Sequence, residues 1–180
     1  KDYALNPPEP TVLDHLKNNN YDVISIGKIN DIFNGCGITK SVSTENNLDG
    51  INKTLNTVKT DFKGLCFVNL NDFDSKYGHR RNPQGYADLI KQFDDYVPEI
   101  LNTLNNDDLL IITADHGNDP TFKGTDHTRE LVPVLIYAKN LKDPKRLDDF
   151  KTFGDIGATI ADNFQITNPK IGTSFLNKLI

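Results

Sequence analysis

The sequence predicts an α/β fold with a largely parallel sheet. Short runs rich in Val, Ile, Leu and Phe alternate with stretches whose apolar residues recur every three or four positions. That alternation is the pattern of helices laid on a mostly parallel sheet. The chain also carries no repeat, low-complexity tract or linker, and its 180 residues suit one domain large enough to bury a core.

The elements follow in order. A helix is expected over Thr11–Asn18, with Thr11 at its start and Val12, Leu13 and Leu16 on its apolar side. Asn19 and Asn20 end it, and Tyr21–Ile26 reads as the first strand. Gly27 and Lys28 then lie at that strand's carboxyl end, before a polar stretch with Gly35 and Gly37. A helix over Leu48–Lys59 leads to a strand over Leu65–Leu70. Asn82-Pro83 opens a long helix, since proline suits the first turn. Its stripe, Tyr86, Leu89, Ile90, Phe93, Val97, Ile100, Leu101 and Leu104, is expected in the core, with a kink or break near Val97 imposed by Pro98. Strands over 108–114 and Leu131–Ala138 follow, Pro133 falling near the start of the latter. A short helix over Ile156–Phe164 and a helical turn over Phe175–Leu179 complete the reading.

Composition narrows the function. The net charge of −5 is mild and both signs are mixed, with no basic stripe and no aromatic–basic interleaving, so nucleic acid is not an expected partner. No apolar run reaches membrane-spanning length. Two cysteines, Cys36 and Cys66, make no disulfide framework, which points to a reducing, cytoplasmic setting.

Three of the four histidines carry the most information. His79 follows Asp74 by five residues, while His116 and His127 directly follow Asp115 and Asp126. Imidazole and carboxylate together are the ligand set of catalytic zinc, manganese and iron sites. Asp115-His116 and Asp74/His79 each follow a strand, and open α/β sheets bind ligands beyond strand carboxyl ends. Asp74, His79, Asp115, His116 and His127 are five candidate ligands, more than one tetrahedral catalytic ion takes. Two metal ions sharing a cleft fit better, and such pairs suit displacement at phosphorus. Lys28, Arg80 and Arg81 are candidate contacts for a substrate phosphate, though ordinary surface pairing explains the arginines as well. Arg129 and Glu130 flank the His127 loop as candidate supports. Thr113, Thr125, Thr128 and Ser75 lie nearby, but none carries a mark of an activated nucleophile.

The motif residues resemble a known family. Thr113-Ala114-Asp115-His116-Gly117-Asn118-Asp119-Pro120 and Thr125-Asp126-His127-Thr128-Arg129-Glu130 look like the phosphopentomutases of the alkaline phosphatase superfamily. The blocks Asp72-Phe73-Asp74-Ser75-Lys76-Tyr77-Gly78-His79-Arg80-Arg81, Gly27-Lys28-Ile29-Asn30-Asp31-Ile32-Phe33 and the segment 155–164 are similar to the same family. The Asp-His-Gly-Asn element is shared more widely; the long Asp72–Arg81 block is the more specific part.

The resemblance implies a three-layer α/β/α core and a manganese enzyme that interconverts ribose 1-phosphate and ribose 5-phosphate, and the deoxyribose pair. A bisphosphorylated sugar would act as activator. Carried over by position, Asp74, His79 and His127 would bind one Mn²⁺, and Asp115 with His116 the second, while Lys28 would face the substrate. The family's phosphorylated threonine, an aspartate near the amino terminus and a cap domain have no counterpart in the matched motifs. On this resemblance residues 1–180 form the carboxyl-terminal portion of the metal-binding core, and mutase turnover by this portion alone is not expected. Two rivals stand beside it. One is a cofactor-independent phosphoglycerate mutase, against which the five-residue step from Asp74 to His79 and the short gap from His116 to His127 argue. The other is a non-catalytic metal-binding module.

Overall fold

The structure is a computed structural model that describes residues 5–141 and 144–179; Lys1, where the sequence begins, lies outside them. The fold is α/β, as expected, with a parallel sheet. The chain divides into two compact units, one of residues 1–43, 60–69 and 143–180, the other of residues 44–59 and 70–142.

The first unit is built on its sheet. Helix α1 (Val12–Asn18) starts where the Asp14 carboxylate accepts hydrogen bonds from the Thr11 amide at 2.7 Å and hydroxyl at 2.9 Å. Strand β1 (Asp22–Ile26) is central, flanked in parallel by β2 (Lys40–Val42) and β3 (Gly64–Val68). Burial on both faces explains its near-continuous apolar run, in which Val23, Ile24, Ser25 and Ile26 are all buried. Leu13, Leu16, Val23, Ile29 and Ile38 form the core, with Tyr21, Phe164 and Ile166 packed against it. Ile29 belongs to α2, one turn over Ile29–Ile32. Neither α2 nor β2 was expected: both are short and set in polar sequence, and the pairing of β2 with β1 comes from backbone register that side chains do not announce.

Helix α5 (Gly154–Asn163) contributes the motif residue Asp155, whose role is structural. Its buried carboxylate accepts from the Thr173 amide at 2.8 Å and from the Lys151 and Thr152 amides at 3.1 and 3.4 Å. These backbone donors, Thr173 foremost, hold its pKa below the usual carboxylate value. A depressed folded-state pKa gives stability that is present above the unfolded pKa of about 4 and lost as pH falls through the folded value. Asp155→Ala is therefore expected to cost about 1–3 kcal/mol at pH 7 by stranding buried amides. In thermal melts the gap between parent and variant should close on acidification; a gap independent of pH would contradict this account. A 3₁₀ turn over Leu176–Lys178 ends the unit.

The second unit begins with α3 (Asn47–Val58), capped by Asn46, whose side chain accepts from the Asp49 amide at 3.0 Å. A π-helical turn over Phe73–Gly78 follows, then α4 (Pro83–Thr103), capped by Asn82. Helix α4 is unbroken through Pro98, where a break was one of the expectations. Packing offsets the missing hydrogen bond: Ile100, just beyond Pro98, is buried with Ile51 and Leu55, beside Phe93 and Tyr96. The expected core stripe is only partly core, because Ile90 is 54% exposed.

Strands β4 (Leu110–Thr113) and β5 (Val134–Tyr137) pair antiparallel, so this two-stranded sheet differs from the parallel one. The second strand starts after Pro133, which has no N–H to give a ladder. Among the described residues no helix is long and apolar enough to cross a membrane.

Candidate metal centre

All five predicted metal residues belong to the second unit. Asp74 and His79 owe their proximity to the π-helical turn. In an α-helix, residues five apart point about 140° away from each other at 3.6 residues per turn. The wider π turn, with bonds between residues five apart, brings such a pair towards one side. Here the His79 amide donates to the Asp74 carbonyl at 2.9 Å, and Nε2 of His79 lies 3.3 Å from Oδ2 of Asp74. The turn sits on α4 through Phe73 and Tyr86, with ring centroids 5.5 Å apart. Gly85 leaves space for the Tyr77 ring, which an added Cβ would meet at 2.1 Å.

His116 and His127 arrive from the loop after β4. That loop is closed by a bridge between Gly117 and Thr128, whose amide donates to the Gly117 carbonyl at 3.1 Å. Nε2 of His127 lies 3.2 Å from Oδ1 of Asp74. The His116 ring stacks on that of His127 at 3.9 Å, and His79 lies 4.7 Å from His127 on the other count. Three imidazoles thus gather about one half-buried carboxylate.

The donor set fits a divalent cation. Nδ1 of His79 is bonded to the Thr125 carbonyl and Nδ1 of His116 to the Gly117 carbonyl at 3.3 Å. Carbonyls only accept, so Nδ1 is the donating nitrogen of both rings and Nε2 is the atom turned towards the carboxylates, the arrangement of metal-bound histidines. Two ligands bonded at about 2.1 Å to one tetrahedral ion lie about 3.4 Å apart. Oδ2 of Asp74 stands 3.3 Å from His79 and Oδ1 stands 3.2 Å from His127, so each oxygen has one histidine near that spacing. Donor atoms of Asp74, His116 and His127 lie within 4.8 Å of one another. His116 is thus close enough to join Asp74 and His127 in one metal-binding group. Asp115 is more open, with 62% of its side chain exposed and Oδ1 3.7 Å from Nε2 of His116.

Lys28 is exposed and belongs to the first unit. Arg80 is exposed. Arg81 contacts backbone carbonyls and the Asn118 side chain, not the acids that a surface-pairing account supplies. Glu130 lies over Gly117, where a Cβ would meet its Cγ at 2.6 Å. Ser75 donates to the Asn71 carbonyl at 3.1 Å, and the Thr128 hydroxyl accepts from the Asp119 amide at 2.8 Å. The first bond belongs to the π turn and the second to the loop, and among the described residues neither hydroxyl is bonded to a histidine or a carboxylate.

Three residues of the site were not singled out by sequence. Asn118 donates to Oδ1 of Asp74 at 2.7 Å; its position directly after Asp-His-Gly was the available signal. Asp72 is buried and exchanges bonds with Asn47, accepting from its amide at 3.0 Å and donating to its Oδ1 at 2.9 Å, which anchors the π turn to the start of α3. Tyr86, hidden in the apolar stripe, lies near enough to the site to respond to it. Burial raises its phenol pKa first, and the charges of Asp74 and Asp115 add to the rise.

Comparison with known proteins agrees with a metal-dependent fold. Residues 1–168 match the metalloenzyme superfamily, and the chain belongs to it. Among solved structures it is similar to the phosphoglycerate mutase of Leishmania mexicana, crystallised at low cobalt concentration. The TM-score is 0.65 at 15% identity, over 90% of this chain and 38% of that one. It is also similar to the PH0037 protein of Pyrococcus horikoshii, at a TM-score of 0.56 and 19% identity over 68% of this chain and 34% of that one. The chain thus spans little more than a third of the length of these structures, and the likeness is one of fold.

Proposed function

We propose that the chain carries the metal-binding part of a manganese-dependent phosphopentomutase, which interconverts 1- and 5-phosphates of ribose and deoxyribose. The observation that supports this most is the gathering of Asp74, His79, His116 and His127 in one compact unit, with Asp115 at its rim. Asp74, His79 and His127 would hold one ion, and Asp115 with His116 a second. Bound there, the ions would supply positive charge for a phosphoryl group and its attacking oxygen. The chain's own part is to aim nitrogen lone pairs and carboxylate oxygens at one place. The π turn does so for Asp74 and His79, and the closed loop does so for His116 and His127. Lys28 is proposed as a substrate contact and the cytoplasm as the setting.

A second reading, phosphoglycerate mutase, draws on the likeness to the Leishmania mexicana enzyme. The two separate in one experiment on the full-length protein with Mn²⁺. Ribose 5-phosphate with a bisphosphorylated sugar as activator is expected to give ribose 1-phosphate, while 3-phosphoglycerate is left unchanged. Turnover of phosphoglycerate alone would overturn the first reading.

A further inference from the structure

Arg81 carries a hydrogen-bond pattern that neither a phosphate contact nor a surface ion pair explains. Its backbone sits at φ +52°, the left-handed region, which costs a non-glycine residue about 1–3 kcal/mol. The side chain offsets that cost with five hydrogen bonds. Nη1 donates to the Gly78 carbonyl at 3.0 Å, the Asp119 carbonyl at 2.9 Å and Oδ1 of Asn118 at 2.7 Å. Nη2 donates to the Asp126 carbonyl at 2.6 Å, and Nε to the Gly124 carbonyl. A guanidinium has five N–H donors and no acceptor; the two of Nη1 are shared among three acceptors and Nε is used, which leaves one N–H of Nη2 over.

Asn118 is buried and takes its orientation from its neighbours. Arg81 can only donate and the Asp74 carboxylate can only accept, so the amide oxygen faces Arg81 and the amide nitrogen faces Asp74. A cation at one end and an anion at the other polarise the same amide, which strengthens both bonds. Gly78 makes the seat: a Cβ there would stand 2.6 Å from the amide nitrogen.

We propose that Arg81 is a positioning residue for the metal ligand Asp74, acting through the Asn118 amide. The relay holds Oδ1 of Asp74 in place from one side and leaves its other lone pair towards His127. The remaining bonds of the same guanidinium fix the loop that delivers His127, so one side chain sets both partners of the 3.2 Å pair. This inference rests on the metal-centre reading for its consequence, not for its geometry.

The test uses the full-length protein, its Arg81→Lys and Asn118→Ala variants and the double variant. Two readouts are taken. One is Mn²⁺ affinity by calorimetry, with the metal alone as probe. The other is proton exchange of the Asn118 side-chain amide by NMR without metal. Each single substitution is expected to weaken Mn²⁺ binding about 10–100-fold, the usual effect of losing a group that orients a ligand. The double variant should lose no more than the worse single one, because both break one chain of bonds. The Asn118 amide protons should be protected in the parent and exchange freely in Arg81→Lys. Additive losses, or an amide still protected in Arg81→Lys, would overturn the relay. If Arg81→Lys fails to fold, Asn118→Ala decides alone, since it removes the middle of the relay and leaves Arg81's carbonyl bonds; parent-like affinity there refutes the proposal. A parent that binds no Mn²⁺ yet shows an Arg81-dependent protected amide supports the relay and removes the metal-centre reading instead.

Discussion

Asp74→Ala is expected to weaken Mn²⁺ binding by more than about 100-fold, beyond the usual effect of losing an orienting group. Asp74 is the carboxylate the cluster is built around. Oδ2 faces His79 at 3.3 Å, and Oδ1 faces His127 at 3.2 Å while accepting from Asn118 at 2.7 Å. Removing it takes away the anionic ligand that first joins the π turn to the histidine loop. Three imidazoles would then be left around a vacated corner, with Asp115 at the rim as the remaining candidate anionic ligand. His15→Ala, on α1, is the matched control and should leave affinity unchanged. Calorimetric titration of the two variants checks the difference, and parent-like binding by Asp74→Ala would refute the assignment of the site to this residue.

The second large effect concerns stability. Gly37→Ala is expected to destabilise the protein by at least about 3 kcal/mol, strain and overpacking acting together. Gly37 has φ +72°, and an added Cβ would stand 2.5 Å from the Leu13 carbonyl carbon and 2.6 Å from the Asp14 amide nitrogen. Those atoms are the backbone of α1, whose Leu13 is buried in the core, so nothing flexible can give way. Gly35→Ala separates the two causes. Gly35 has φ +73°, but its Cβ would meet only Oδ1 of Asn30 at 3.8 Å, an ordinary contact. That variant pays for backbone strain alone and should lose about 1 kcal/mol. Chemical denaturation of both variants gives the comparison; equal losses would show that the close approach to α1 does not matter.

Much of the fold was legible because it follows from local pattern. The α1, β1, α3, β3 and α5 boundaries fall within a residue or two of their apolar runs and caps. The illegible parts depend on partners distant in sequence. Strand β2 is Lys40-Ser41-Val42, which has no strand signal and exists through its register with β1. The antiparallel β4–β5 pair could not be told from two parallel strands, because direction is set by the path of the chain between them. A break at Pro98 does not occur, since the proline penalty is local while the burial of Ile100 that offsets it is tertiary.

The site divides in the same way. Asp74, His79, Asp115, His116 and His127 stood out by residue type and position after strands; the cluster around Asp74 gathers His79, His116 and His127, and Asp115 stands at its rim. The π turn that makes a five-residue step useful was not visible in the letters Asp74–His79. Nor was the work of Arg81, whose partners are mostly carbonyls, which every residue possesses and no sequence distinguishes.

The measurement that bears most directly on the metal centre is a Mn²⁺ titration of the unaltered protein by calorimetry, repeated with Asp74→Ala. Saturable binding by the parent that is lost in the variant is the result expected of the Asp74, His79, His116 and His127 cluster. No binding by the parent, or equal binding by both, would contradict it.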